Sequence, residues 1–318
     1  MISIDIVSIV QRTIKYLYPI NQQENYQLNY FKESEKKAMK KQINEIIDLA
    51  FEFKNGKKVD YDRKKKVAFL FYENSTRTHY SFDMAALNLG CVTQNFEVAT
   101  SSVQKGESLY DTVKFFESIG HDAIVIRHSQ NNYFEELKGI NVPILSGGDG
   151  TGNHPTQSLL DLMTIREHFG HFEGLKVAIC GDIRHSRVAH SNYDVMRRLG
   201  MDVVMCGPEE FKEEGYPFIS VDEAIDQVDV MMLLRVQHER HASGMQISKE
   251  EYHEKYGLNM KRVKQMKDNA IIMHPAPFNR GVEIADDVVE CEKARIFAQM
   301  TNGVYIRMAL LYMALENK

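Results

Sequence analysis

The sequence predicts an α/β protein of two doubly wound domains, each a mainly parallel sheet flanked by helices, the two joined by interdomain helices. Three observations carry that expectation. Strand-like apolar runs alternate with segments of helical period, the pattern of βα units. A glycine-rich passage, "SGGDGTGNHPTQ", interrupts the alternation once, and a second alternating series follows it. A chain of 318 residues, 43% of them hydrophobic, suits two ordinary cores better than one large one.

The first series opens with an amphipathic helix from Phe31 to Lys54, in which Met39, Ile43, Ile46, Ile47, Ala50 and Phe53 recur at helical spacing with lysines opposite. Asn55-Gly56 closes it with a turn. "KVAFLFYE" then reads as a strand, "THYSFDMAALNLG" and "DTVKFFESIG" as helices, and "HDAIVIRHS" and "VPILSGG" as strands. The glycine-rich passage leads into a long helix. Beyond it "LKVAICGD", "MDVVMCGP", "VDVMMLLRVQ" and "NAIIMHPAP" form the second series of strands, and "YIRMALLYMALENK" returns to helix at the end. No fixed-period repeat or low-complexity stretch intervenes, and the short basic runs at Lys36-Lys37, Lys40-Lys41 and Arg63 to Lys66 read as solvated faces.

A formal net charge of −5 argues against nucleic-acid binding, which needs a surplus of Lys and Arg on one face, so any anion site must be local. Cys91, Cys180, Cys206 and Cys291 stand far apart with no CxxC pair and no Cys/His metal spacing, which suggests neither a zinc site nor a disulfide framework and fits a reducing cytoplasmic setting. The N-terminal 25 residues lack the basic start, long apolar core and small-residue cleavage site of a targeting signal, and are too polar to span a membrane; they read as an extension or short surface helix.

Several polar clusters carry candidate chemistry. In "ENSTRTHYSF", a helix starting near Ser75 would leave the backbone N–H groups of Thr76, Arg77 and Thr78 without intrahelical partners, beside hydroxyls and a guanidinium. That is either a phosphate cradle or a helix merely capped by Ser75, and it is not a Walker loop, since the glycines and the Lys-Ser/Thr ending are missing. His154 and Gln157, in "HPTQ" with Pro155 at the favoured first helical position, can face one side of a helix. Each is able to donate to a carbonyl oxygen, although a lone histidine there is more often a structural hydrogen-bonder.

Arg127, Arg187 and Arg235 each follow a strand, where open α/β sheets bind ligands; together they suggest a polyanionic substrate, while each alone reads as a surface ion pair. Ser101, Ser102 and Lys105 lie on a polar loop between helices, where solvation is the plain reading. In "HPAPFNRG" the prolines either place a cis bond that turns backbone toward a ligand or simply stop the strand.

Ser75-Thr76-Arg77-Thr78, His154-Pro155-Thr156-Gln157, "GDIRHSRVAHS", "LLRVQHER" and "HPAP" occur in the order found in the transcarbamoylases, and from about Tyr30 onward the sequence resembles that family, within it the aspartate-specific catalytic chains. The resemblance implies a reaction in which carbamoyl phosphate and L-aspartate give N-carbamoyl-L-aspartate and phosphate, the committed step of pyrimidine synthesis, without metal or organic cofactor. It implies an N-terminal extension (1–27), a carbamoyl phosphate-binding domain (28–153) completed by the C-terminal helix (302–318), and an aspartate-binding domain (154–301).

By the same resemblance the phosphate rests on Ser75, Thr76, Arg77 and Thr78, while Arg127, His154 and Gln157 reach the carbonyl of carbamoyl phosphate and Ala276 and Pro277 border it. Arg187 and Arg235, helped by Gln237, clamp the two carboxylates of aspartate, a task that suits the bidentate guanidinium. Family members are homotrimers in which Ser101 and Lys105 equivalents enter a neighbour's site. Whether a regulatory chain or a dihydroorotase also binds is left open. The rival reading is an ornithine carbamoyltransferase, which shares the phosphate motif and the His-Pro-x-Gln segment, but "HPAP" stands here in place of its "HCLP", and the arginine of "LLRVQ" suits a carboxylate. A dinucleotide-binding or scaffolding role, suggested by "KVAICGDIRHSRVAHS", lacks the G-x-G-x-x-G turn.

Overall fold

The computed structural model describes residues 33–150, 154–236 and 248–316. The expected N-terminal extension therefore lies outside the described residues. The chain divides into two compact units, one formed by the residues up to Leu159 together with those from Met300 onward, the other by Leu160–Gln299.

In the first unit, helix α1 (Glu33–Lys54) is followed by β1 (Lys66–Phe71), α2 (Thr76–Asn88), β2 (Val92–Phe96), α3 (Leu109–Ser118), β3 (Ala123–His128), β4 (Ile144–Asp149) and the start of α4 (Pro155–Phe169). The strands form one parallel sheet in the order β2-β1-β3-β4. Val67 to Leu70 of β1 and Ala123 to Ile126 of β3 are fully buried, as expected of central parallel strands covered on both faces. Ala68, Leu70, Ile124 and Ile126 pack with Val113 and Phe116 of α3. The apolar stripe of α1 is buried from Met39 to Phe53, and Phe53 meets the ring of Tyr312, so α1 packs on the C-terminal helix of the same unit.

The second unit continues through β5 (Lys176–Cys180), α5 (Arg187–Arg198), β6 (Asp202–Cys206), β7 (Phe218–Ile219), α6 (Val221–Ala224), β8 (Val230–Leu233), α7 (Lys249–Tyr256), α8 (Met260–Val263) and β9 (Ile271–Met273). Its sheet is also parallel, in the order β7-β6-β5-β8-β9. Every residue of β8 and β9 is buried, so these strands read in sequence as continuous apolar runs with no alternation. Helix α9 (Ile296–Glu316) closes the chain. No helix among the described residues is long and apolar enough to cross a membrane.

Three features depart from the expectations. The last helix begins at Ile296 rather than near Tyr305. Strand β2 had no distinct signal, because it is a sheet edge whose residues are mostly exposed and so carry little apolar pattern. Cys180 and Cys206, which the spacing left unpaired, are partners in register on β5 and β6, with Cα atoms 4.5 Å apart and sulfurs in bonding contact. A parallel crossover hides this proximity behind a sequence separation of 26, and the cysteine count accordingly carries no argument about compartment.

Candidate active site

Strand β1 ends at Phe71, and the chain turns through Glu73 and Asn74 into α2. Ser75 occupies the cap position with extended backbone, φ −156° and ψ 92°, but its side chain makes no capping bond. The first internal bond of the helix runs from the His79 N–H to the Ser75 carbonyl. The amides of Thr76, Arg77 and Thr78 thus precede the hydrogen-bonded ladder, and no acidic residue stands in the first turn to neutralise them. Of the two readings of this stretch, simple capping by Ser75 is not what its side chain does. This helix start carries the positive end of a helix dipole, with the Thr76 and Arg77 side chains exposed beside it.

Two further candidate residues lie at or beyond the carboxyl ends of β3 and β4. His154, immediately before α4, places Nε2 3.5 Å from Thr78 Oγ1. Both residues are buried, as are Thr156 and Gln157 in the turn that follows. Arg127 lies near the end of β3, where the register with β4 shifts by one residue. Its Nη1 donates to the Gly147 carbonyl at 3.0 Å and its Nη2 pairs with Glu73 Oε2 at 2.7 Å. Gly148 is required for this arrangement: at φ +142° a Cβ there would sit 2.7 Å from Arg127 Nη1. Glu73 was not singled out in the sequence, although it lies within the same stretch as Ser75; only the fold reveals that it meets Arg127.

Ser101 and Lys105 fall on a single 3-10 turn, Ser102–Lys105. Ser101 caps it by accepting from the Val103 N–H, and Gly106 ends it in the left-handed conformation. Lys105 is exposed and Ser101 half-buried. Nearby in the sequence, Tyr80, Met84 and Leu87 form an exposed apolar stripe on α2, spaced one helical turn apart.

In the second unit Arg187 is the first residue of α5, capped by Ser186, whose hydroxyl accepts from the Ala189 N–H at 3.2 Å. Arg235 lies two residues beyond the end of β8, and both arginines are half-buried. Gln237 lies outside the described residues. Ala276 and Pro277 follow β9, joined by a cis peptide, with Ala276 at φ 50°.

A buried polar network supports this turn. Asp161 accepts from Asn192 Nδ2 at 2.7 Å and from Gln299 Nε2 at 2.8 Å, and Gln299 Oε1 accepts from the His274 N–H at 2.8 Å. The His274 ring in turn accepts from the Ala276 N–H at Nδ1, 2.9 Å, which leaves its proton on Nε2, facing Glu283 Oε1 at 3.4 Å. Glu283 also accepts from Asn279 Nδ2. Asp161, Gln299 and Glu283 carried no recognisable motif; the periodicity of their helices and loops says nothing of such a network.

In each unit, then, the candidate residues gather beyond the carboxyl ends of parallel strands, the place where doubly wound sheets bind ligands. The family model described as Aspartate/ornithine carbamoyltransferase, carbamoyl-P binding domain, matches residues 34–167, and that described as Aspartate/ornithine carbamoyltransferase, Asp/Orn binding domain, matches residues 173–314. The chain belongs to the aspartate/ornithine carbamoyltransferase family.

Solved carbamoyltransferase structures agree. Aspartate transcarbamoylase from Trypanosoma cruzi in complex with N-(phosphonacetyl)-L-aspartic acid is 30% identical, over 86% of this chain and 91% of that one, with a TM-score of 0.75. The same enzyme in complex with carbamoyl phosphate is 30% identical, over 86% and 92% of the two chains, with a TM-score of 0.74. Its complex with carbamoyl phosphate and aspartate is 30% identical, over 86% and 93%, with a TM-score of 0.73.

Proposed function

We propose that the protein is an aspartate carbamoyltransferase, moving the carbamoyl group from carbamoyl phosphate to the amine of L-aspartate and releasing phosphate. The observation that carries this reading is the convergence of the uncapped N-terminus of α2, Thr78, His154 and Arg127 at one end of the first sheet. The phosphate rests on Ser75, Thr76, Arg77 and Thr78. Arg127, His154 and Gln157 address the carbonyl oxygen, and the backbone of Ala276 and Pro277 borders the same ligand. Arg187, Arg235 and Gln237 hold the aspartate carboxylates.

The aspartate amine attacks the carbamoyl carbon, forming the C–N bond and a tetrahedral oxyanion. Its negative charge is met by donors of Arg127, His154 and Thr78, fixed in place before the charge develops. Collapse breaks the C–O bond to phosphate. The departing phosphate stays on the α2 amides and the Arg77 guanidinium and takes up the amine proton, which makes it the hydrogen phosphate dianion. Holding nucleophile and electrophile together supplies much of the remaining acceleration.

The working form in this reading is a homotrimer, with Ser101 and Lys105 of one chain serving the neighbour's site. The exposure of the Lys105 turn and of the Tyr80, Met84 and Leu87 stripe supports it. The enzyme acts in the cytoplasm at the committed step of pyrimidine synthesis. The test is carbamoyl transfer with L-aspartate and L-ornithine compared side by side: turnover with aspartate supports the proposal, and turnover with ornithine alone overturns the acceptor assignment.

A further inference from the structure

Arg307 lies midway along α9, only 3% exposed. Its Nη1 donates to Ser81 Oγ at 2.9 Å and to the Gly303 carbonyl at 3.0 Å, and its Nη2 donates to Thr156 Oγ1 at 3.2 Å. The guanidinium carbon stands 5.1 Å from the centre of the Phe82 ring, and Nε is buried with no hydrogen bond. Among the described residues no carboxylate forms an ion pair with it. Burial alone acts on its charge, pushing the pKa down to about 10, so the group remains a cation at neutral pH.

A buried charge without a counter-charge costs several kcal/mol of desolvation, and one offset only by hydroxyls, a carbonyl and a ring face is under-compensated. What it touches indicates why it is there. Ser81 belongs to α2, less than one turn beyond Thr78; Thr156 sits between His154 and Gln157 at the start of α4. One guanidinium therefore bridges the two helices whose N-termini carry the candidate phosphate and carbonyl contacts. A planar fork with donors on both sides can make that bridge; an ammonium cannot hold the same geometry.

We infer that Arg307 is a positioning residue for the phosphate site, fixing the first turns of α2 and α4 against each other and leaving a buried positive charge that the bound dianion balances. This rests on the proposed carbamoyl phosphate site. It adds a basic group, remote from the exposed cradle, that acts through Ser81 and Thr156 and through its field.

The experiment compares the full chain with Arg307→Gln, Arg307→Lys and Ser81→Ala/Thr156→Val, measuring the Kd of inorganic phosphate by calorimetry at two ionic strengths and the KM values of carbamoyl phosphate and aspartate. Arg307→Gln should weaken phosphate by about tenfold and raise the KM of carbamoyl phosphate more than that of aspartate, because it removes a buried positive charge held between the starts of α2 and α4. Arg307→Lys should recover most of the phosphate affinity but not kcat. The double variant, which retains the charge and cuts both ties, should lose kcat with a smaller change in phosphate Kd. Wild-type affinity in a folded Arg307→Gln protein, or wild-type kcat in the double variant, overturns the inference. An inactive unmodified chain would instead remove the functional reading on which it rests.

Discussion

Arg127 Nη2 lies 2.7 Å from Glu73 Oε2, so the buried arginine of the candidate carbonyl site faces a carboxylate on the loop that leads into the phosphate cradle. Removing one member of such a pair leaves the other uncompensated. Arg127→Gln should therefore weaken phosphate beyond the loss of one donor, since the Glu73 charge then repels the dianion. Adding Glu73→Gln should restore part of the affinity. The comparison is a double-mutant cycle on phosphate Kd, and a double variant that binds no better than Arg127→Gln would show that Glu73 exerts no field on the site.

The neutral His274 ring turns Nε2 toward Glu283 Oε1 at 3.4 Å, with side chains 0% and 2% exposed. Glu283→Ala should destabilise the protein by about 2 kcal/mol, because it leaves the buried donors of Asn279 and His274 without their acceptor. Glu283→Gln preserves volume and an acceptor, so it should fold while loosening the Ala276-Pro277 turn that His274 holds through the Ala276 amide. The expected outcome is a fall in kcat/KM of roughly tenfold with a much smaller loss in melting temperature. An unchanged kcat/KM in a folded Glu283→Gln protein would separate this network from the chemistry.

Arg77 is exposed at the first turn of α2, so its truncation should cost little stability, within about 0.5 kcal/mol, yet abolish turnover. Lys105→Ala should likewise be inactive alone. If sites are shared between subunits, mixed trimers of the two variants contain some interfaces with both Arg77 and Lys105 intact, and partial activity should return after subunit exchange. No recovery after confirmed exchange would argue that each chain completes its own site.

Burial holds the imidazoles of His121 and His128 below the usual histidine range. The folded chain thus resists protons that the unfolded chain accepts near pH 6.5, and unfolding takes up protons as the pH falls. The stability tied to these groups is fully present above about pH 6.5 and is lost progressively below it. The melting temperature should decline from pH 7 to pH 5, and His121→Gln should flatten that decline; an identical slope in the variant would exclude His121 from the effect.

How much of this was legible in the sequence follows from what each element asks of it. β1, β3, β5 and β8 are buried on both faces and announce themselves as apolar runs, and α1 shows its period because one face is buried. β2 gave no signal because its residues are mostly exposed at a sheet edge. Ser75 to Thr78, His154 and Gln157 stood out because a helix start has recognisable chemistry. Glu73, Glu283 and Arg307 did not, since the meaning of each depends on a partner far along the chain: Glu73 on Arg127, Glu283 on His274, and Arg307 on Ser81 and Thr156. The pairing of Cys180 with Cys206 was hidden in the same way.

The central claim is tested most directly by incubating the purified chain with carbamoyl phosphate and L-aspartate and measuring phosphate and N-carbamoyl-L-aspartate together. The account predicts that both appear in equal amounts, that neither forms when aspartate is left out, and that L-ornithine does not replace it. Phosphate released without aspartate, or product formed only with ornithine, would contradict it.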